Sequence, residues 1–284
     1  MPHTTDHLLL DDGQCLRVVR RGTQAGGRPV VCLHGWTSTH ADWTHWTQAL
    51  AGAHPSFAWD ARGHADVPLT GAPATLERMA DDLDALIRHY ALERPLLLGH
   101  SMGALTIWMH ALRHPGTAIG GYGLIDQTPK LVTGAGWRFG IYGDFSAQRN
   151  RWFIARQRED FAEAVLELTA DGLNARARER YEREPAKFQR SRDWLAGLAH
   201  AALTECWCSL AGADLRPALA RLHAPVLLVY GDESNFYTAE TARWVQAQIP
   251  HARLETYAGA DHCPHFWQRD RFLGELRALL AACG

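Results

Sequence analysis

The sequence predicts an α/β fold: a mostly parallel sheet with an antiparallel edge and helices over both faces. Three observations carry the prediction. Short, nearly continuous apolar runs recur at 30–33, 57–59, 95–98, 122–125, 226–230 and 254–257, the pattern of strands covered on both faces. Between them lie stretches with apolar residues at helical spacing, at 43–50, 76–90, 105–112, 239–248 and 266–280, and this alternation builds parallel sheets. A chain of 284 residues with 46% hydrophobic content can bury the core such a sheet needs and still carry an insertion.

Taken in order, 8–10 and 16–19 form an opening β-hairpin joined by Asp11-Asp12-Gly13, a turn sequence that tolerates the required left-handed backbone. The run 30–33 leads into His34-Gly35-Trp36, and 57–59 leads into Asp60-Ala61-Arg62-Gly63-His64. The Asp60 and Arg62 side chains read as loop-fixing groups. After 95–98 comes Gly99-His100-Ser101-Met102-Gly103, and the stretch 119–125 ends at Asp126. From about 128 to 215 the alternation stops: no strand is evident, arginine is dense, and helical spacing appears at 153–168 and 174–198. The alternation resumes with 225–230, closed by Gly231-Asp232-Glu233-Ser234, and with 253–257, which precedes Asp261-His262 and a C-terminal helix. Neither an internal repeat nor a low-complexity tract interrupts this order.

Gly99–Gly103 supplies Gly-x-Ser-x-Gly between a strand and a helix, the setting in which that pattern carries chemistry. A serine on a tight strand-to-helix turn has a strained backbone, the flanking glycines remove side chains that would collide, and the hydroxyl stands above the sheet. Ser101 is therefore the candidate nucleophile. A serine hydroxyl needs a base, and the base needs an orienting acid. Of sixteen histidines, His262 is set apart because it follows the last strand and the short loop Ala258-Gly259-Ala260-Asp261, at the sheet end where open parallel sheets present groups to ligands. His265, its neighbour, reads as a packing or capping residue at the start of the next helix. Two acids preserve the chain order serine, acid, histidine: Asp126 and Asp232.

The series His34-Gly35-Trp36, Asp60-Ala61-Arg62-Gly63-His64, Gly99–Gly103 and Asp261-His262, each after its strand and in this order, resembles the α/β-hydrolase superfamily along nearly the whole chain. The resemblance implies an eight-stranded α/β-hydrolase sheet formed by 1–127 and 216–284, with a helical cap, 128–215, inserted after the sixth strand. It implies an oxyanion hole from the backbone amides of Trp36 and Met102. In most of that superfamily the acid lies three residues after the glycine closing the seventh strand, where this chain has Ser234; a minority supplies it from the end of the sixth strand, where this chain has Asp126. Asp126 is thus the expected acid and Asp232 the alternative. A further glycine commonly follows two residues after Gly63, and here Ala65 replaces it. The implied activity is hydrolysis of a carboxylic ester, thioester or lactone through an acyl-enzyme, without cofactor or metal. Alternatives on the same scaffold are cofactor-free haloperoxidase or perhydrolase chemistry, C–C hydrolysis or lyase chemistry, and a non-catalytic ligand-binding module. The aromatic residues of the insertion, Trp137, Phe139, Tyr142, Trp152 and Phe153 among them, are expected to form an apolar substrate pocket.

A formal charge of −2 with balanced acids and bases provides no general attraction to nucleic acid or an anionic membrane. No apolar run reaches membrane-spanning length and the N-terminal residues lack signal-peptide character, so the expected location is cytoplasmic and the expected partner a small ester-type molecule. The oligomeric state is not fixed by any of these features. Six cysteines are scattered without paired metal spacing and read as free thiols; Cys263, beside His262, stands close enough to the site to be expected to meet thiol reagents.

Overall fold

The computed structural model describes residues 3–22 and 26–284. Eight strands, β1 (His3–Leu9), β2 (Cys15–Arg21), β3 (Val30–Leu33), β4 (Ser56–Asp60), β5 (Leu96–His100), β6 (Gly121–Ile125), β7 (Val226–Gly231) and β8 (Arg253–Tyr257), form one sheet in the order β1-β2-β4-β3-β5-β6-β7-β8. The β1–β2 and β2–β4 pairings are antiparallel and the remaining five are parallel. The helices are α1 (Thr44–Leu50), α2 (Leu76–His89), α3 (Met102–Arg113), α4 (Ala147–Glu159), α5 (Phe161–Ala170), α6 (Ala175–Arg183), α7 (Gln189–Ala196), α8 (His200–Gly212), α9 (Arg216–Leu219), α10 (Ala239–Gln248), α11 (Pro264–Trp267) and α12 (Arg269–Ala282).

The apolar runs alternate cleanly between two cores because successive strand side chains point to opposite faces. Val31, Leu33, Leu97, Leu124 and Leu228 join α2, α3 and α10 on one face. Val30, Cys32, Leu96, Leu98 and Leu227 join α1 and α12 on the other. Both faces are apolar along every central strand, so the runs read as continuous rather than alternating.

Three expected helices are interrupted, each at a residue with a local reason. The expected 153–168 helix is divided between α4 and α5 at Asp160, whose side chain accepts the Glu163 amide and caps the second helix. Beyond α6, Pro185 opens a separate 3-10 turn before α7, since proline lacks the N–H needed to continue a helix. The C-terminal helix breaks at Gln268, between α11 and α12. Arg62, fully buried, forks onto Asp82 at 2.6 Å and reaches Asp12 at 2.8 Å, fixing the loop after β4 to the hairpin turn and to α2. Ala65 has φ +53°, so the backbone keeps a left-handed turn without the customary glycine.

Five histidines, His34, His64, His100, His110 and His265, are buried in this framework. Burial pushes all five down, His64 and His100 to about 3 and His110 to about 4. An unfolded chain protonates these rings near pH ~6.5. Their contribution to stability is therefore complete above that pH and is lost as pH falls below it. Buried Asp82, pushed up to about 6, and Asp126, also raised, act in the opposite sense but are outnumbered. The melting temperature is expected to drop progressively from pH 7 to pH 5; a flat or rising trend would refute this balance.

Candidate active site

The sheet grows in both directions from β3, with β4 on one side and β5 on the other, and the crevice at such a switch point is where an open α/β sheet receives ligands. The loops leaving β3 and β5 meet there. Ser101 sits between β5 and α3 at φ +52°, ψ −115°, a conformation that non-glycine residues rarely adopt. Its amide is held by the Ile125 carbonyl at 3.1 Å. A side chain at Gly103 would collide with the Leu33 carbonyl of β3, so the tight turn depends on that glycine. Two more strained residues flank the crevice, Thr37 at φ +65° and Asp126 at φ +44°.

The loops after β7 and β8 position the histidine. Gly231 lies against the Ala260 and Asp261 carbonyls with no space for a side chain, and the Glu233 amide donates to the Ala260 carbonyl at 3.0 Å. The Asn235 side chain accepts the His262 amide at 3.3 Å. His262 Nδ1 then lies 2.6 Å from Asp126 Oδ2, while its ring meets Phe236 edge-on at 4.5 Å between centroids.

Asp126 is fully buried at the end of β6. The Ser234 hydroxyl donates to its Oδ2 at 2.7 Å and the Gly231 amide to its Oδ1 at 3.2 Å. Burial pushes Asp126 well above the ordinary carboxylate range, and these two donors pull it back. Burial also pushes His262 down, to about 4. An isolated charge on either group is thus opposed, and an imidazolium at His262 has Asp126 as its counter-charge across the 2.6 Å contact. Asp232, by contrast, is exposed and accepts the Gly259 amide at 2.7 Å; it makes no contact with His262 and braces the β8 loop instead.

Ser101 and His262 line one cleft of about 240 Å³ together with Gly35, Trp36 and Met102. No hydrogen bond joins the Ser101 hydroxyl to His262 among the described residues, and the hydroxyl opens to the cleft. The Met102 amide begins α3, and neither it nor the Trp36 amide has an acceptor among the described residues, leaving two backbone donors beside the serine. Among the described residues no group of three or more His, Cys, Asp or Glu side chains is placed to hold a metal ion.

The expected pocket aromatics are corrected by the structure, which keeps Trp137, Phe139, Tyr142, Trp152 and Phe153 out of the cleft lining. Trp137 and Phe139 pack on Trp244 of α10 at 4.8 and 5.6 Å. The Tyr142 hydroxyl is taken by the Leu168 carbonyl, Trp152 is 58% exposed on the outer side of α4, and Phe153 forms a second layer behind Trp36 and Trp207. The apolar wall is formed instead by Leu131, Ile141, Val165, Leu168, Trp207 and Leu210 from the segment between β6 and β7, facing Trp36, Leu105 and Phe236. Cys263 lines the cleft, but burial pushes its thiol up, which opposes the thiolate that thiol reagents require. His265 packs between Trp43, Trp46 and His100. Sequence reasoning marked Ser234 only as a residue standing where an acid is customary and missed its role as a donor to Asp126.

Sheet order, the strained serine after β5 and the histidine–aspartate pair at the carboxyl ends of β6 and β8 define an α/β-hydrolase architecture. The alpha/beta hydrolase family model matches residues 30–274, and the chain belongs to that family. It is 27% identical over 264 residues to a pimeloyl-[acyl-carrier protein] methyl ester esterase of Aliivibrio salmonicida, covering 91% of this chain and 94% of that one. It is 25% identical to a non-heme chloroperoxidase of Kitasatospora aureofaciens, covering 83% and 85%. Among solved structures, an esterase from Exiguobacterium antarcticum superposes with a TM-score of 0.83 at 20% identity, covering 98% of this chain and all of that one. Among the described residues no helix is long and apolar enough to cross a membrane.

Proposed function

We propose that this protein is a serine hydrolase that cleaves a carboxylic ester, thioester or lactone bearing an apolar group. The observation that carries this reading is the 2.6 Å contact of His262 Nδ1 with a buried Asp126 in the cleft that holds a serine with strained φ/ψ. Ser101 Oγ attacks the carbonyl carbon while His262 Nε2 takes its proton. The oxyanion of the tetrahedral intermediate accepts from the Trp36 and Met102 amides. His262 returns the proton to the departing alcohol or thiol as the acyl-enzyme forms. Water then repeats the sequence and releases the acid. Asp126 keeps the Nδ1–H tautomer and stabilises the imidazolium. The segment 128–215 acts as a cap over a core of 1–127 and 216–284, and six unpaired cysteines support a reducing, cytoplasmic setting.

Its wall predicts the selectivity. Each Å² of apolar surface buried contributes about 25 cal/mol, so kcat/KM for p-nitrophenyl esters is expected to rise from acetate to butyrate or hexanoate by about 10-fold or more. Flat specificity across that series would refute the apolar pocket. Likeness to a chloroperoxidase favours one second reading, perhydrolysis of an acyl-enzyme by hydrogen peroxide; peroxide-dependent halogenation in carboxylate buffer tests it, and Ser101→Ala must abolish it.

A further inference from the structure

Gln127 follows the acid directly, is almost fully buried and lines the cleft. Its Oε1 accepts the Thr128 amide at 2.7 Å and the Tyr237 hydroxyl as well. An amide N–H can only donate, so the atom facing Thr128 must be the oxygen, and the orientation of the carboxamide is fixed. The Nε2 group is thereby turned away from both partners and has no acceptor among the described residues. Tyr237 is itself held by the Ser234 hydroxyl, which accepts its amide at 3.2 Å, and the Tyr230 hydroxyl donates to the Gln127 carbonyl. The donor is thus anchored to the same frame that holds Asp126.

Around it the cleft is walled by Leu131, Ile141, Leu168 and Phe236. A polar donor directed into an apolar cleft is left unsatisfied when a hydrocarbon replaces water beside it, and such a site discriminates against ligands that lack the complementary group. We infer that Gln127 is a specificity-determining residue: the substrate carries, on its otherwise apolar group, an ether, carbonyl or hydroxyl oxygen that accepts a hydrogen bond from Gln127 Nε2. This rests on the ester-hydrolase reading of the same cleft and narrows its substrate class to oxygen-bearing apolar esters.

The test uses p-nitrophenyl esters of equal chain length in which each methylene of the acyl chain is replaced in turn by an ether oxygen, with a matching series of ω-substituted alkyl esters for the alcohol side. Each kcat/KM is divided by the hydroxide-catalysed rate of the same ester, which removes intrinsic reactivity. In the wild-type protein at least one oxygen position is expected to exceed the hydrocarbon ester by about 10- to 100-fold. In Gln127→Met, which retains length and removes the donor, that preference should collapse toward unity. No oxygen position better than twofold in the wild-type protein would overturn the inference whether or not the variant folds, and so would a preference that survives in Gln127→Met. Ser101-dependent hydrolysis of the plain hydrocarbon ester reports on the underlying reading separately; its absence would remove that reading and this inference together.

Discussion

Ser101→Ala is expected to lower ester turnover by about 10⁴-fold or more while leaving the fold intact. Alanine removes the attacking oxygen and nothing that holds the turn, because the constraint at this position comes from the backbone: the amide bonded to Ile125 and the closeness of Gly103 to Leu33. Among the described residues the hydroxyl carries no hydrogen bond whose loss would unfold the protein. A residual rate above the uncatalysed reaction should persist through the two backbone donors. Unchanged kcat/KM on an apolar ester, with circular dichroism and melting temperature unaltered, would place the chemistry elsewhere.

Asp126→Asn is expected to cost about as much, on the order of 10⁴-fold in kcat, whereas Asp232→Asn should change kcat by less than about threefold. Burial already opposes a charged His262, so the carboxylate at 2.6 Å supplies the stabilisation the imidazolium needs. An asparagine amide turned toward Nδ1 would present a donor to a donor or select the wrong tautomer. Asp232 is exposed and occupied with the Gly259 amide, and its loss should loosen that turn without reaching the ring. Equal losses in the two variants, or a larger loss for Asp232→Asn, would contradict the assignment of the acid.

Much of this was legible in the residues because strand chemistry is local. The six apolar runs located β3 to β8 and the expected hairpin located β2, but β1 begins at His3, five residues before the expected 8–10. Gly-x-Ser-x-Gly located the turn, since each signal depends on side-chain periodicity or on glycine's freedom at a fixed offset. Expecting the acid at Asp126 followed from Ser234, which cannot carry charge where an acid is customary. What Ser234 does there was not legible. Its hydroxyl meets Asp126 only because β6 and β7 lie side by side, a contact across 108 positions of sequence. The pocket wall failed for a similar reason. Aromatic content predicts that some rings line a cleft, but which ones do is set by helix orientation, and here Trp244 of α10 draws Trp137 and Phe139 outward. The helix breaks at Asp160 and Pro185 carried recognisable capping and proline signals that apolar spacing alone overrode.

The central claim, that Ser101 is the nucleophile of a triad completed by His262 and Asp126, is tested most directly by intact-mass and peptide mass spectrometry after treatment with an alkyl fluorophosphonate. One phosphonyl adduct per chain on Ser101, formed in step with the loss of esterase activity and strongly slowed in Asp126→Asn, is the predicted result. An adduct on another residue, or loss of activity with Ser101 unmodified, would contradict it.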